Sequence, residues 1–163
     1  MQWLALPATM AFPEERLRSI ATLDGSWDNL LNLQAAFSRG DSTSVRSGLA
    51  SLRQARKSVR PADMALDNLF LEAWLLAALG DAKAAADWLD PTLGSISGAA
   101  PQLFAEAYQA GPLVRTMVLR ADLASRMGDA TTAKRWAAAV VVLWSDADDF
   151  LQPVVRRMKD LSR

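Results

Sequence analysis

The sequence predicts an all-α protein, a stack of about three antiparallel helical hairpins closed by a C-terminal capping helix. One observation is composition: hydrophobic residues make up 51% of the chain, with much alanine and leucine and a single tyrosine. Such residues favour helices over strands. The other is a nine-residue stretch that occurs twice, since residues 80–88 and 128–136 both read G-D-A-x-x-A-x-x-W. A chain that repeats itself at this spacing is typical of repeat architectures.

Every fixed residue of the repeated stretch has a structural explanation. The glycine can end one helix in the left-handed conformation and the aspartate can cap the next, so a short turn reverses the chain. Small residues on both sides of the turn let the two helices approach closely, and the tryptophan fills the space to the next hairpin. The residues in these roles are Ala73, Ala85 and Trp88 around one copy, and Ala121, Ala133 and Trp136 around the other.

A third, degenerate copy begins at Gly40. Val45 and Gly48 stand where the other copies have alanine and tryptophan, and Leu33 stands where the other hairpins have a small residue before the turn. The sequence therefore predicts a first hairpin that is packed differently from the other two.

This pattern of a helix-ending glycine between small residues resembles the tetratricopeptide repeat. The resemblance covers residues 66–96 and 114–144, with a degenerate hairpin at 26–58. The glycines that begin the copies lie 40 and 48 residues apart, whereas the family's period is about 34 residues. Residues 119–158 also look like the end of the repeat region in larger bacterial repeat proteins, which implies a bacterial origin.

The resemblance implies a concave groove, lined by the first helix of each hairpin, that binds a peptide or a helix of a partner. The partner would be another protein or a multi-subunit complex. The groove positions carried over are Trp27 and Gln34 in the first hairpin, Asp67, Phe70 and Trp74 in the second, and Arg115, Asp122 and Arg126 in the third. Phe70 and Trp74 also have an explanation as core residues, because their helix ends in a run without polar side chains.

Glycines, prolines and capping residues predict the helix boundaries. A helix from Pro61 to Leu79 is expected to be central, with Asp63, Asp67 and Glu72 at its wetter end. The acidic cluster near the C-terminus, at residues 146–149, is expected to cap the last helix. Helices are expected at 13–21, 26–39, 42–60, 61–79, 82–89, 101–110, 113–127, 130–144 and 150–161, with a loop at 90–100 and breaks at Pro91 and at Gly111-Pro112.

A basic stripe is expected on one side of the third helix. Its members are spaced three and four residues apart, and they are Arg53, Arg56, Lys57 and Arg60. The stripe is explained either as a solvated outer face or as a docking surface for an acidic partner, lipid headgroups or RNA. Because no aromatic residue lies between these charges, nucleic-acid binding is not expected.

An apolar N-terminal arm, residues 1–12, precedes a single predicted domain at 13–163. The arm is shorter than the roughly 20 residues of a transmembrane helix, and Pro7 interrupts it, so no transmembrane segment is expected. The arm either packs on the first hairpin or docks on a partner or a membrane interface. Its anchoring residues would be Trp3, Leu4, Leu6 and Phe12.

Charge and composition limit the ligands and the catalytic functions that we expect of this chain. Lys and Arg total 18, as do Asp and Glu, so no net charge attracts nucleic acid or an anionic membrane. Histidine and cysteine are absent, which removes the commonest general base, the commonest metal ligands and all thiol chemistry. We therefore expect a non-catalytic protein without a metal or a cofactor. The compartment stays open, with the cytoplasm favoured and the membrane periphery and the periplasm as alternatives.

Three functional hypotheses follow. The first is a protein–protein interaction module that acts as a scaffold or as an accessory subunit of a larger complex. The second retains the fold, but the apolar arm and the basic stripe dock the protein on a membrane-bound assembly as a stabilising subunit. The third is a ligand-binding or enzymatic helical domain.

Overall fold

A computed structural model of the chain describes residues 25–96 and 107–163, with only the backbone at 25–28 and 107–110. All regular structure in these residues is helical, as predicted. A first compact unit ends at Ser58 and a second spans Val59–Arg163. The α-helices are α1 (Gly25–Ser38), α2 (Ser42–Ala55), α3 (Leu66–Ala78), α4 (Ala82–Gly94), α5 (Ala107–Arg126), α6 (Ala130–Leu143) and α7 (Gln152–Leu161), and a short 3-10 helix lies at Pro61–Asp63.

In the part of the chain that the structure describes, three glycines take the left-handed backbone conformation, and each ends a helix. Gly40, Gly80 and Gly128 have φ angles of 78°, 86° and 79°. The amide of the following aspartate donates to a carbonyl five residues earlier, at 3.0 Å for Ala36 and Leu76 and 2.9 Å for Ala124. These bonds satisfy carbonyls that a helix end would otherwise leave without a partner.

The aspartate of each turn caps the next helix, as the motif predicts. Its Oδ1 accepts a hydrogen bond from the backbone N–H three residues later, at 3.0 Å for Ser44, 3.1 Å for Ala84 and 3.0 Å for Thr132. The turn therefore has one geometry at residues 40–41, 80–81 and 128–129. The helices that it joins pack on each other in all three places, α1 on α2, α3 on α4 and α5 on α6.

Two of these caps are sensitive to acid. Hydrogen bonding from Ser44 holds the pKa of Asp41 below its ordinary value, and hydrogen bonding from Thr132 does the same for Asp129. Both carboxyls are more acidic in the folded state than in the unfolded chain, where the pKa is about 3.9. Their contribution to stability is present above that pH and is lost as the pH falls through the lowered folded-state pKa.

The first unit shows how the degenerate copy is packed. Leu33 of α1 is buried, and a Cβ added at Gly48 of α2 would overlap Cδ2 of Leu33 and lie 3.2 Å from its Cγ. The equivalent pairs in the other two copies are Ala73 with Trp88 and Ala121 with Trp136. In the first copy the large side chain has therefore moved from the second helix to the first, and the glycine makes room for it.

In the second unit, small residues allow close packing of the helix pairs. Ala73, Ala85, Ala121 and Ala133 are all buried, as the repeated stretch predicts. Helix α5 packs on both α3 and α4, and α6 packs on α5 and α7. The core of this unit is therefore continuous from α3 to α7.

The predicted boundaries around Pro61 are wrong. Helix α2 ends at Ala55, and α3 begins at Leu66 rather than at Pro61, with the 3-10 helix between them. A proline disfavours the helical conformation in the residue before it, and Arg60 accordingly has a ψ of 142°. In the first unit, α1 spans Gly25–Ser38, against the expected range of 26–39.

The predicted breaks at Pro91 and at Gly111-Pro112 are also wrong, because α4 continues to Gly94 and Pro112 lies inside α5. A proline inside a helix costs about 3 kcal/mol. The two residues after each proline are buried, and burial of each large apolar side chain among them, which leaves out Thr92, contributes about 1.5–3 kcal/mol. These residues are Thr92 and Leu93 in α4, and Leu113 and Val114 in α5.

The last helix is amphipathic, as predicted, with Val155 and Met158 buried. Its predicted acidic cap is wrong. Leu151 is the N-cap residue, and the helix start has no side-chain cap. The cluster at 146–149 contributes its backbone instead, since the carbonyls of Asp148 and Asp149 accept hydrogen bonds from the amides of Leu151 and Gln152.

Some predictions fall outside the described residues. They are the apolar arm at 1–12, the helix expected from Pro13, the last part of the loop at 90–100 and the start of the helix expected from Pro101. Among the helices that the structure does describe, none combines the length and the apolar character needed to cross a membrane.

We predict that Gly48→Ala and Leu33→Ala are coupled. In the natural background, the gain of about 1 kcal/mol from replacing a helical glycine is offset by overpacking against Leu33, which costs about 1–3 kcal/mol. After Leu33→Ala, the same substitution should stabilise the protein by about 1 kcal/mol. Urea unfolding of the two single variants, the double variant and the natural protein measures the coupling free energy. Additive effects of the two substitutions would contradict this account of the first unit.

Candidate binding surface

The predicted groove residues on α3 and α5 lie on two helices that pack on each other. Asp67 and Phe70 on α3 are half-buried, as is Arg115 on α5, and Arg126 is exposed. These four side chains, which we call the α3–α5 stripe, are therefore in part accessible. Trp74 is different, because it is buried and packs in the core.

Asp122, also predicted for the groove, is bound to the C-terminal helix. Nη1 of Arg157 in α7 donates a hydrogen bond to Oδ1 of Asp122. Burial raises the pKa of the Asp122 carboxyl, while attraction by Arg157 and then by Arg126 lowers it in part. This ion pair connects α7 to α5, so Asp122 has a structural role.

The cations of the stripe differ in their surroundings. Burial lowers the pKa of Arg115, because its charged form loses hydration there. A guanidinium is nevertheless protonated at physiological pH, since its ordinary pKa lies far above that pH. Both Arg115 and Arg126 therefore present positive charge. In the first unit, Gln34 is half-buried on α1, and the side chain of Trp27 lies outside the described residues.

The predicted basic stripe does not follow one helix face. Arg53 is in the last turn of α2, but Arg56 and Lys57 come after the helix end and Arg60 belongs to the second unit. Arg60 forms an ion pair with Asp63, with its Nε 2.6 Å from Oδ2 and its Nη2 3.1 Å from Oδ1. This hydrogen bonding raises the pKa of Arg60. The prediction of a shared face is wrong because it assumed a helix that runs to Pro61.

Two buried polar residues of the second unit, which the sequence pattern did not reveal, each form hydrogen bonds to a neighbouring helix. Glu72 is 1% exposed, not wet as expected, and its Oε2 accepts a hydrogen bond from Nε1 of Trp88 at 2.9 Å. Arg120 is 6% exposed, and its Nε and Nη2 donate to the carboxylate of Asp90 at 2.6 and 3.1 Å. The first bond links α3 to α4, and the second links α4 to α5.

Glu72 and Arg120 occupy the same place in the repeat, since each lies directly before the small residue that faces the return helix. This equivalence was the signal that could have identified them. Asn32 has this place in the first unit and is exposed. The polar position is therefore buried only in the two copies that contain the tryptophan.

Nothing in the described part of the chain gathers three or more acidic, histidine or cysteine side chains that could hold a metal ion. The three aspartates at 146–149 are exposed side chains of a turn.

Comparisons of the chain with protein-family models, with curated proteins and with solved structures find no match. The chain is therefore assigned to no family. The resemblance to the tetratricopeptide repeat depends on the residues of the repeated stretch alone.

We predict that the ion pair between Asp90 and Arg120 is asymmetric in its energetics. Asp90→Ala leaves a buried cation without its partner and should destabilise the protein by about 2–3 kcal/mol. Arg120→Met should cost less, because methionine can fill the buried space and the Asp90 side chain, 47% exposed, can be hydrated. Denaturant unfolding of both variants provides the comparison. Equal losses of unfolding free energy in the two variants, or a greater loss from Arg120→Met, would contradict the predicted asymmetry.

Proposed function

We propose that this protein is a non-catalytic protein–protein interaction module, a scaffold or an accessory subunit of a larger complex, built as a tetratricopeptide-like stack of helical hairpins. The observation that carries the proposal is the recurrence of one turn geometry at residues 40–41, 80–81 and 128–129. Every fixed residue of the repeated stretch serves the packing of helices. The side chains that differ between copies are therefore the ones available for recognition.

The packing of α5 supports this proposal. Helix α5 packs on both helices of the pair before it, and its own return helix α6 packs on α7. In helical repeat proteins, each repeat likewise contacts its neighbours, and a terminal helix with a polar outer face closes the stack. Helix α7 has this character, with Arg156 and Lys159 exposed and Val155 and Met158 buried.

The chemistry of the α3–α5 stripe supports a peptide or helix as the ligand. Phe70 supplies an aromatic anchor, and Arg115 and Arg126 supply two cations on the neighbouring helix. Aromatic and arginine side chains are enriched among the residues that dominate binding energy at protein interfaces. A partner segment with an apolar residue next to carboxylates would match this surface.

The absence of histidine and cysteine from the sequence supports a role without catalysis, because it removes the commonest general base and every thiol nucleophile. Docking on a membrane-bound assembly through the apolar arm stays a hypothesis from the sequence, as do the cytoplasmic location and the bacterial origin.

The test is recovery of a stoichiometric partner from the cells that produce the protein, followed by affinity measurement with that partner. We expect Arg126→Ala and Arg115→Gln each to weaken binding at least about fivefold, because each removes a charged contact worth about 1–3 kcal/mol. Circular dichroism of each variant checks that it is folded.

The matched control is Arg156→Ala, which removes an exposed cation of α7 outside the stripe. Its affinity should equal that of the natural protein. If all three variants bind equally well, or if no protein binds at all, the proposed recognition by the stripe is wrong.

A further inference from the structure

Three large apolar side chains are exposed where α6 meets the turn before α7. Val142 is 74% exposed, Leu143 is 53% exposed and Phe150 is 69% exposed. Single exposed apolar residues are common on soluble proteins, but a contiguous group of them marks an interaction site. The three residues lie within nine consecutive positions of the chain.

The turn that carries Phe150 is held by hydrogen bonds. The amide of Ala147 donates to the carbonyl of Trp144 at 3.2 Å, and the amide of Leu151 donates to the carbonyl of Asp148 at 2.8 Å. The side chain of Gln152 also donates to the carbonyl of Ala147 at 2.6 Å. Phe150 is therefore presented to solvent by a defined backbone. A partner that covers it has little ordering entropy to overcome.

The charge around these apolar residues is negative. The turn contains three exposed aspartates, Asp146, Asp148 and Asp149, in a chain with no net charge. Two copies of this surface placed face to face would bring like charges together, which disfavours a symmetric dimer through it. An anionic bilayer surface would be repelled for the same reason. The complementary surface is apolar with lysine or arginine beside it.

We propose that this surface, the α6–α7 patch of Val142, Leu143 and Phe150 with the three aspartates, docks a basic amphipathic helix of a partner protein. The apolar face of that helix covers Phe150 and the end of α6, and its lysines or arginines lie against the aspartates. The proposal rests on the proposed function as an interaction module and adds a second recognition surface with the opposite charge preference to the α3–α5 stripe.

The test uses two synthetic helical peptides of roughly 18 residues, long enough to form a helix on binding. They share a leucine face and carry lysines or glutamates on the other face. Fluorescence anisotropy with the full chain should show binding of the lysine peptide and at least tenfold weaker binding of the glutamate peptide. Phe150→Ala should weaken binding of the lysine peptide at least tenfold. The double variant Asp148→Asn with Asp149→Asn should reduce both the affinity for the lysine peptide and the salt dependence of that affinity.

The control is Met127→Ala, which removes an exposed apolar side chain that lies outside the patch. Equal affinity for the two peptides, or equal effects of Phe150→Ala and Met127→Ala, overturns the proposal. So does a concentration-dependent dimer in sedimentation that Phe150→Ala abolishes, or binding to phosphatidylserine vesicles that depends on Phe150, because a second copy or a bilayer would then be the occupant.

The native complex separates this proposal from the proposed function. If Phe150→Ala retains the partner while Arg126→Ala loses it, docking at the α6–α7 patch is overturned and the proposed function stands. Loss of the partner with Phe150→Ala, together with the peptide results, supports the patch. If nothing is recovered with any variant or with the natural protein, both proposals fail.

Discussion

A left-handed glycine, followed at once by a capping aspartate, determines how the helices of this chain pair. The glycine turns the backbone out of one helix, and the aspartate accepts the hydrogen bond that starts the next. Since the same bonds recur at residues 40–41, 80–81 and 128–129, three helix pairs begin from the same geometry. The close packing of helices depends on this pairing, and so do the buried polar hydrogen bonds. The exposure of the α3–α5 stripe and of the α6–α7 patch depends on it as well.

Packing within each pair then tolerates exchange of the large side chain between the two helices. In the first unit Leu33 and Gly48 stand in the places that Ala73 and Trp88 have in the second unit, so the large side chain comes from the other helix. The buried polar position can likewise hold a carboxylate or a guanidinium, as Glu72 and Arg120 show. Such a framework leaves its outer side chains free to change, and this freedom suits a protein that we propose to act by binding others.

Local signals were enough to predict the helical class, the three turns and their caps, because glycine and aspartate act on the backbone next to them. Tertiary packing determined the helix boundaries and the burial of polar side chains, which the local signals did not predict. Pro91 and Pro112 lie inside helices because buried neighbours outweigh their cost, and Glu72 is buried because Trp88 is there to bind it. Phe70 and Arg115, which the resemblance places in the groove, are half-buried, whereas the binding of Asp122 by Arg157 depends on α7, which is distant in sequence.

The central claim is that each turn requires a glycine because the backbone there has a positive φ angle. The free energy of unfolding of Gly80→Ala against Gly94→Ala tests it most directly, because a methyl group at either position meets no atom within 4 Å and only Gly80 has a positive φ. Gly80→Ala should destabilise the protein by about 1–2 kcal/mol, and Gly94→Ala, inside α4, should be neutral or stabilise it by up to about 1 kcal/mol. Equal changes in the two variants would contradict the claim.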